Sequence, residues 1–319
     1  MGNSVSLPVF GPKQNVDIKE PSTINALNRT SSARQKLKHC IFRNSTGSKD
    51  NPNEEIDRLH SQHYLYRYAW EQISKFKSNF SAPVRERLID GISVLDVGCG
   101  PGTWLLDMAS TYPQSNFMGI DLFPQFPSEI KPNNCDFLTI DFLEGLPFDD
   151  GKFDFVHMRF INHVFTQKEW NERVIKELIR LTKPGGFLEL MDVHVPHKDL
   201  PPKANLLSNI LIAEMDRTNI WWDVTSHFES LLSAQQGLEG VTSQKKEHTL
   251  GVKGAQDGIL FLEFYTQFMK IVYPQISKRT NIEPEEFYNE FMPKAIEEFN
   301  AKEYSPRIVS ERVFAQKTA

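Results

Sequence analysis

Short β-branched and aliphatic runs alternate along the chain with stretches of helical spacing, a pattern that predicts a parallel sheet flanked by helices. Residues 92–97 form the first such run, short, β-branched and mostly apolar, as a central parallel strand needs. Residues 116–121, 136–140, 153–159 and 187–191 supply four more strands. A lead-in helix over 54–76 places Ile56, Leu59, His63 and Tyr66 near one face, so that His63 is either a packed histidine or a contact to cofactor or substrate. Trp104, Leu105, Met108 and Ala109 repeat at helical spacing, which predicts Trp104 as core. Trp170, Val174, Leu178 and Leu181 make one stripe of a helix over 170–181. Further helices are expected over 205–215, 227–234, 258–273 and 284–299, a sixth strand over 241–248, and a closing antiparallel strand over 307–316. The fold class is α/β, with seven strands, helices on both faces and a helical cap. Ile220-Trp221-Trp222 forms either an aromatic wall or a buried bridge between helices.

Three glycines, Gly98, Gly100 and Gly102, follow the first strand at alternate positions. Without Cβ atoms the chain can turn sharply there and press its N–H groups against a ligand, and the helix starting near Thr103 adds its positive end. A dinucleotide fingerprint, G-x-G-x-x-G, would need its last glycine where Thr103 stands, which counts against a nicotinamide-dependent oxidoreductase. Asp121 ends the second strand about where nucleotide folds place a carboxylate on ribose hydroxyls. Open parallel sheets bind ligands beyond the carboxyl ends of their strands, so His157, Met158 and Arg159 should face the site. Asp192 and His194 lie past the fifth strand, where a base or substrate contact could stand. His194 and His197 lack the further convergent ligands of a metal site, and no metal is expected.

The glycine turn, with Asp96, Asp121, Asp141-Phe142 and Pro184-Gly185-Gly186 in register, resembles the class I S-adenosylmethionine-dependent methyltransferases. The resemblance implies a Rossmann-like sheet whose last strand is antiparallel, and S-adenosyl-L-methionine as cofactor. Gly98, Cys99, Gly100 and Gly102 would cradle its amino-acid end, with Asp96 at the ammonium group. Asp121 and Leu122 would meet the ribose, Asp141 and Phe142 the adenine, and Met158 and Arg159 would adjoin them. Two stretches, Glu54-Glu55-Ile56-Asp57-Arg58-Leu59-His60-Ser61-Gln62-His63 and Phe153-Asp154-Phe155-Val156-His157-Met158-Arg159, are similar to the fungal LaeA-like branch. That branch contains regulators of secondary metabolism and enzymes acting on small metabolites. It implies methyl transfer to a small-molecule or protein nucleophile, with His157, His194 and Asp192 as catalytic candidates. The alternative is a non-catalytic regulatory interaction protein that keeps the fold. Arg159-Phe160-Ile161-Asn162 stands where some amino-group methyltransferases carry Asn-Pro-Pro-Tyr, which counts against DNA adenine or glutamine methylation.

Composition narrows the setting. The 319 residues carry a formal net charge of −5 with both signs mixed, which does not advertise a nucleic-acid binder. Cys40, Cys99 and Cys135 show no Cys-x-x-Cys spacing, so neither a disulfide framework nor a thiolate zinc site is expected, and a reducing compartment fits. No apolar run approaches the roughly 18 residues of a transmembrane span, and no signal peptide is evident. The expected location is cytoplasmic, with nuclear or membrane-associated alternatives. Residues 1–53, rich in Ser, Asn, Pro and Lys, read as a disordered tail, and 54–319 as the methyltransferase domain, with a cofactor half over 54–200 and a cap with closing strands over 201–319. Met1-Gly2-Asn3-Ser4-Val5-Ser6 matches the N-myristoylation pattern at Gly2, and Arg34, Lys36, Lys38 and Arg43 could add a second membrane signal.

Overall fold

The computed structural model describes residues 54–71, 79–194 and 199–319. The expected tail, with Gly2, Cys40 and the basic residues from Arg34 to Arg43, lies outside the described residues, as do 72–78 and His197.

Helix α1 (Glu54–Glu71) and a short α2 (Arg85–Asp90) precede β1 (Ser93–Val97) and α3 (Thr103–Thr111). Strands β2 (Asn116–Asp121), β3 (Cys135–Thr139) and β4 (Phe153–Arg159) follow, then a helical stretch over 167–181, here α4, and β5 (Thr182–Val193). The remainder comprises α5 (Pro202–Arg217), α6 (Phe228–Ser233), β6 (Leu238–Thr249), α7 (Ala255–Thr280), a helical stretch α8 over 284–300, and β7 (Arg307–Lys317). The sheet runs β3-β2-β1-β4-β5-β7-β6. It is parallel from β3 to β5, and β7 is antiparallel to both neighbours. This is the expected α/β arrangement of seven strands with helices on both faces and the last strand antiparallel.

Strand parity distributes the side chains. Leu95, Val97, Met118, Ile120, Val156 and Met158 pack on one side with Trp170, Val174 and Leu178 of α4. Val94, Phe117 and Phe155 pack on the other with Leu88 of α2 and Trp104, Leu105 and Met108 of α3. Because both faces are covered, apolar side chains alternate to both sides of the central strands. A third core joins Tyr66 and Trp70 of α1 to Leu211 and Met215 of α5 and Phe261 and Met269 of α7, against Met191 of β5 and Ile308 of β7. The cap therefore closes over the carboxyl end of β5.

Two elements differ from the expected pattern. The helix expected to stop at Tyr273 runs on through Pro274 to Thr280. Proline removes the N–H that would bond to the Lys270 carbonyl, and the Tyr288 hydroxyl donates to that carbonyl instead, at 3.3 Å. The Pro184-Gly185-Gly186 turn is absorbed into β5, where the register with β4 shifts between Phe153 and Phe155. Of the two alternatives for Ile220-Trp221-Trp222, the structure shows the bridge, with Trp221 packed against the α4-side core and Trp222 against the cap core.

Candidate active site

A cavity of about 480 Å³ opens at the carboxyl ends of the parallel strands. Its strand-end side is lined by Gly98, Gly100, Asp121, Leu122, Asp141, Phe142 and Met158. Its cap side is lined by Leu211, Met215, Phe264, Tyr265 and Phe268, and Asp192 and His194 also contribute.

The glycine turn is built from backbone bonds. The N–H groups of Gly98 and Cys99 both donate to the Ile120 carbonyl, at 2.9 and 3.0 Å, which pins the turn onto β2. Gly98, Gly100 and Gly102 all have φ between +53° and +77°, a region that L side chains rarely enter. Their surroundings differ. A Cβ on Gly98 would come within 2.4 Å of the Ile161 side chain, and one on Gly102 within 2.6 Å of the Phe137 ring. A Cβ on Gly100 would meet only Leu59, at 3.7 Å, so Gly100 is the position where the turn opens to the cavity. Asp121 Oδ2 accepts from the Gly100 N–H at 2.8 Å and Oδ1 from the Phe123 N–H at 2.9 Å, so the carboxylate stands directly beside the turn. Burial raises its pKa against the pull of these donors. Asp141 Oδ1 accepts from the Leu143 N–H at 2.9 Å and caps the one-turn helix Phe142–Glu144, which fixes Phe142 in the wall.

Four residues expected at the cofactor, Asp96, Cys99, Gly102 and Arg159, and the catalytic candidate His157 lie off this wall. Asp96, His157 and Arg159 share the parity of Val94 and Phe155, so they project from the opposite face to Met158. Asp96 and His157 are direct cross-strand neighbours. His157 Nδ1 bonds Asp96 Oδ1 at 2.8 Å, and the imidazole stacks on Trp104 with centroids 4.0 Å apart. His157 is fully buried, and its Nε2 has no hydrogen-bond partner among the described residues. Arg159 donates to His63 Nδ1 at 3.1 Å, and His63 Nε2 reaches Asp107 Oδ2 at 3.3 Å. Burial lowers the His63 pKa to about 4, so the ring is neutral, and lowers that of Arg159 to about 10. The structure thus joins α1, α3 and β4 through a polar network behind the turn. Cys99 is buried against Gly119, and burial holds its thiol well above the ordinary value. Gly102 is a packing glycine beneath Phe137, which itself stacks on Phe126.

A methyltransferase-domain family model matches residues 94–186, the stretch that runs from β1 through the glycine turn to the start of β5. Residues 94–186 form a methyltransferase domain. Among curated relatives, an N-methyltransferase of Clonostachys rogersoniana, verN, is 32% identical over 146 residues, covering 44% of this chain and 48% of the relative. The methyltransferase str3 of Strobilurus tenacellus is 30% identical over 201 residues, covering 60% and 66%. A secondary metabolism regulator, laeA, of Monascus pilosus is 32% identical over 101 residues, covering 31% and 26%. The chain spans about half the length of the first of these relatives.

Beyond the glycine turn, Asp192 near the end of β5 lines the cavity. Its Oδ2 accepts from the N–H groups of Ile161 and Asn162, at 2.6 and 2.8 Å, and its Oδ1 from the Val193 N–H at 2.8 Å. It thereby holds the turn after β4, where Phe160 sits at φ 56°. Burial raises the Asp192 pKa to about 7, outweighing the three donors. His194 is tethered through both ring nitrogens, to Glu311 at 2.7 Å and Ser226 at 3.0 Å. Sequence reasoning missed Glu55, Arg58, Gln62 and His163 as lining residues of the cavity. The similar stretch in α1 named the first three without indicating which way they point. No group of three metal-ligating side chains occurs among the described residues, and no helix there is long and apolar enough to cross a membrane.

Proposed function

We propose that the protein transfers a methyl group from S-adenosyl-L-methionine to a small molecule. The observation that carries this reading is one cavity that joins an open glycine turn, with Asp121 and Asp141 beside it, to an apolar pocket under the cap. When bound, the cofactor supplies an electrophilic methyl group on a sulfonium with a good leaving group. Gly98 and Gly100 would hold its amino-acid end, Asp121 would accept from the ribose hydroxyls, and Asp141 with the Phe142 backbone would meet the adenine. Cap residues such as Phe264 and Phe268 would exclude water and orient the acceptor, the largest contributions a protein can make to this chemistry. Asp192, with a pKa near 7, is the wall group suited to take up a proton at neutral pH when the nucleophile must lose one. Asp96, His157 and Arg159 act from behind the turn as positioning groups. Residues 54–319 are read as one methyltransferase domain and 1–53 as a tail. A cytoplasmic location and a weak membrane attachment through myristoylated Gly2 belong to the same proposal.

Similarity to laeA, a secondary metabolism regulator, supports a second reading, a regulatory protein that works through a protein partner. Incubation with methyl-labelled S-adenosylmethionine and a metabolite extract separates the two. Transfer predicts label in an extracted small molecule, lost with Asp121→Ala. Cofactor binding without label in any fraction would move the reading to the regulator.

A further inference from the structure

Helix α1 buries polar groups and exposes aromatic ones. Glu55, Arg58 and Gln62 are 7, 7 and 8% exposed and line the cavity, whereas Tyr64 and Tyr68 on the outer side are 57 and 40% exposed. Charged side chains are costly to bury, and apolar replacements of similar volume often serve stability as well, so packing alone gives no reason for them in this wall. Pockets for small molecules are mostly apolar with a few placed polar groups that fix orientation, which is the arrangement here.

The pairing within this face sets what it can recognise. Arg58 Nε and Nη2 grip the two Glu55 carboxylate oxygens at 2.7 and 2.8 Å, and Nη1 reaches Gln62 Oε1 at 3.4 Å. The guanidinium also lies 5.6 Å from the centre of the Phe264 ring, on the cap side of the cavity. Of its five N–H donors, three are thereby directed within the helix, and the rest are held in a fixed plane. Its charge is matched by Glu55, so an anionic ligand gains little from Arg58 and meets Glu55 and Asp192 in the same cavity. An uncharged oxygen can accept the remaining N–H groups without that penalty.

We propose that the Glu55–Arg58–Gln62 face of α1 binds the polar end of the methyl acceptor and selects an uncharged aromatic molecule bearing a carbonyl or amide oxygen over an anionic one. The term acceptor rests on the methyl-transfer reading above; the selectivity does not.

The test titrates the full chain, saturated with S-adenosylhomocysteine, with 2-naphthamide and separately with 2-naphthoate. The amide should bind at least about tenfold more tightly. Glu55→Gln should raise affinity for 2-naphthoate by about tenfold or more, a gain that misfolding cannot produce. Arg58→Met should weaken the amide by about tenfold while S-adenosylhomocysteine affinity stays within about twofold. Equal or tighter binding of the acid by the unaltered protein, no binding of either compound, or no gain in Glu55→Gln would overturn the proposal. S-adenosylhomocysteine binding is read in its own titration. Its absence would count against methyl transfer, and the naphthalene titrations without it would still decide the selectivity of this face.

Discussion

Replacing Gly100 and Gly102 by alanine, one at a time, should separate cofactor binding from folding. Both positions are left-handed, with φ +53° and +77°, so each alanine costs about 1–2 kcal/mol of backbone strain. At Gly100 the methyl group meets only Leu59, at an ordinary contact distance of 3.7 Å, and the cost should end there. It occupies the mouth of the turn, however, and should lower affinity for S-adenosylhomocysteine at least about a hundredfold, roughly 3 kcal/mol. At Gly102 the methyl group falls 2.6 Å from two atoms of the Phe137 ring, which is itself stacked on Phe126. Overpacking there adds about 1–3 kcal/mol, for a total near 2–5 kcal/mol. Urea unfolding gives the stabilities and calorimetric titration the affinities. Gly100→Ala should be mildly destabilised and unable to bind, whereas Gly102→Ala should be much less stable. Wild-type affinity in Gly100→Ala, or wild-type stability in Gly102→Ala, would refute the division of labour within the turn.

Further perturbations test the network around the cavity. His63 titrates near 4 in the fold against 6.5 when unfolded, so the unfolded chain binds more protons between these values. Stability should therefore fall as pH drops from 6.5 to 4, by up to about 3 kcal/mol from this group, and unfolding free energies that stay flat over that range would contradict its burial as a neutral ring. Asp192 has the opposite sign, with a folded pKa near 7 against 3.8, so the stability it confers at low pH is lost as pH rises through 7. Asp192→Asn should cost about 1–3 kcal/mol through its mismatched backbone donors, and its deficit relative to wild type should be larger at pH 5 than at pH 8. A deficit that grows with pH would reverse the assignment. Pro274→Ala restores the missing helical N–H of α7 and should raise stability by about 1–3 kcal/mol in the same unfolding assay, whereas a loss would mean that the proline is structurally required.

The parallel strands and the glycine turn were legible in the sequence because a strand covered on both faces is mostly apolar, as in Val94, Leu95 and Val97 around Asp96. The expected bounds of β2 and β4 coincide with those observed. What the sequence concealed was parity. His157, Met158 and Arg159 all stand at the end of β4, yet only Met158 reaches the cavity, because alternate residues leave a strand on opposite faces. The Asp96–His157 pair depends on cross-strand register, which a single sequence does not state. The orientation of α1 was hidden for a different reason. Polar residues at helical spacing normally mark the solvent side, and here Glu55, Arg58 and Gln62 mark the cavity wall. Helix α7 outran its expected end because the Tyr288 hydroxyl, distant in sequence, supplies the hydrogen bond that Pro274 cannot.

The measurement that bears most directly on the central claim is calorimetric titration of the full chain with S-adenosylmethionine and, separately, with NAD. A cavity built on this glycine turn and Asp121 should bind S-adenosylmethionine with micromolar affinity, about −8 kcal/mol, and should lose that binding in Asp121→Ala without unfolding. NAD should give no heat of binding. Binding of NAD in place of S-adenosylmethionine, or binding of neither by folded protein, would contradict the account.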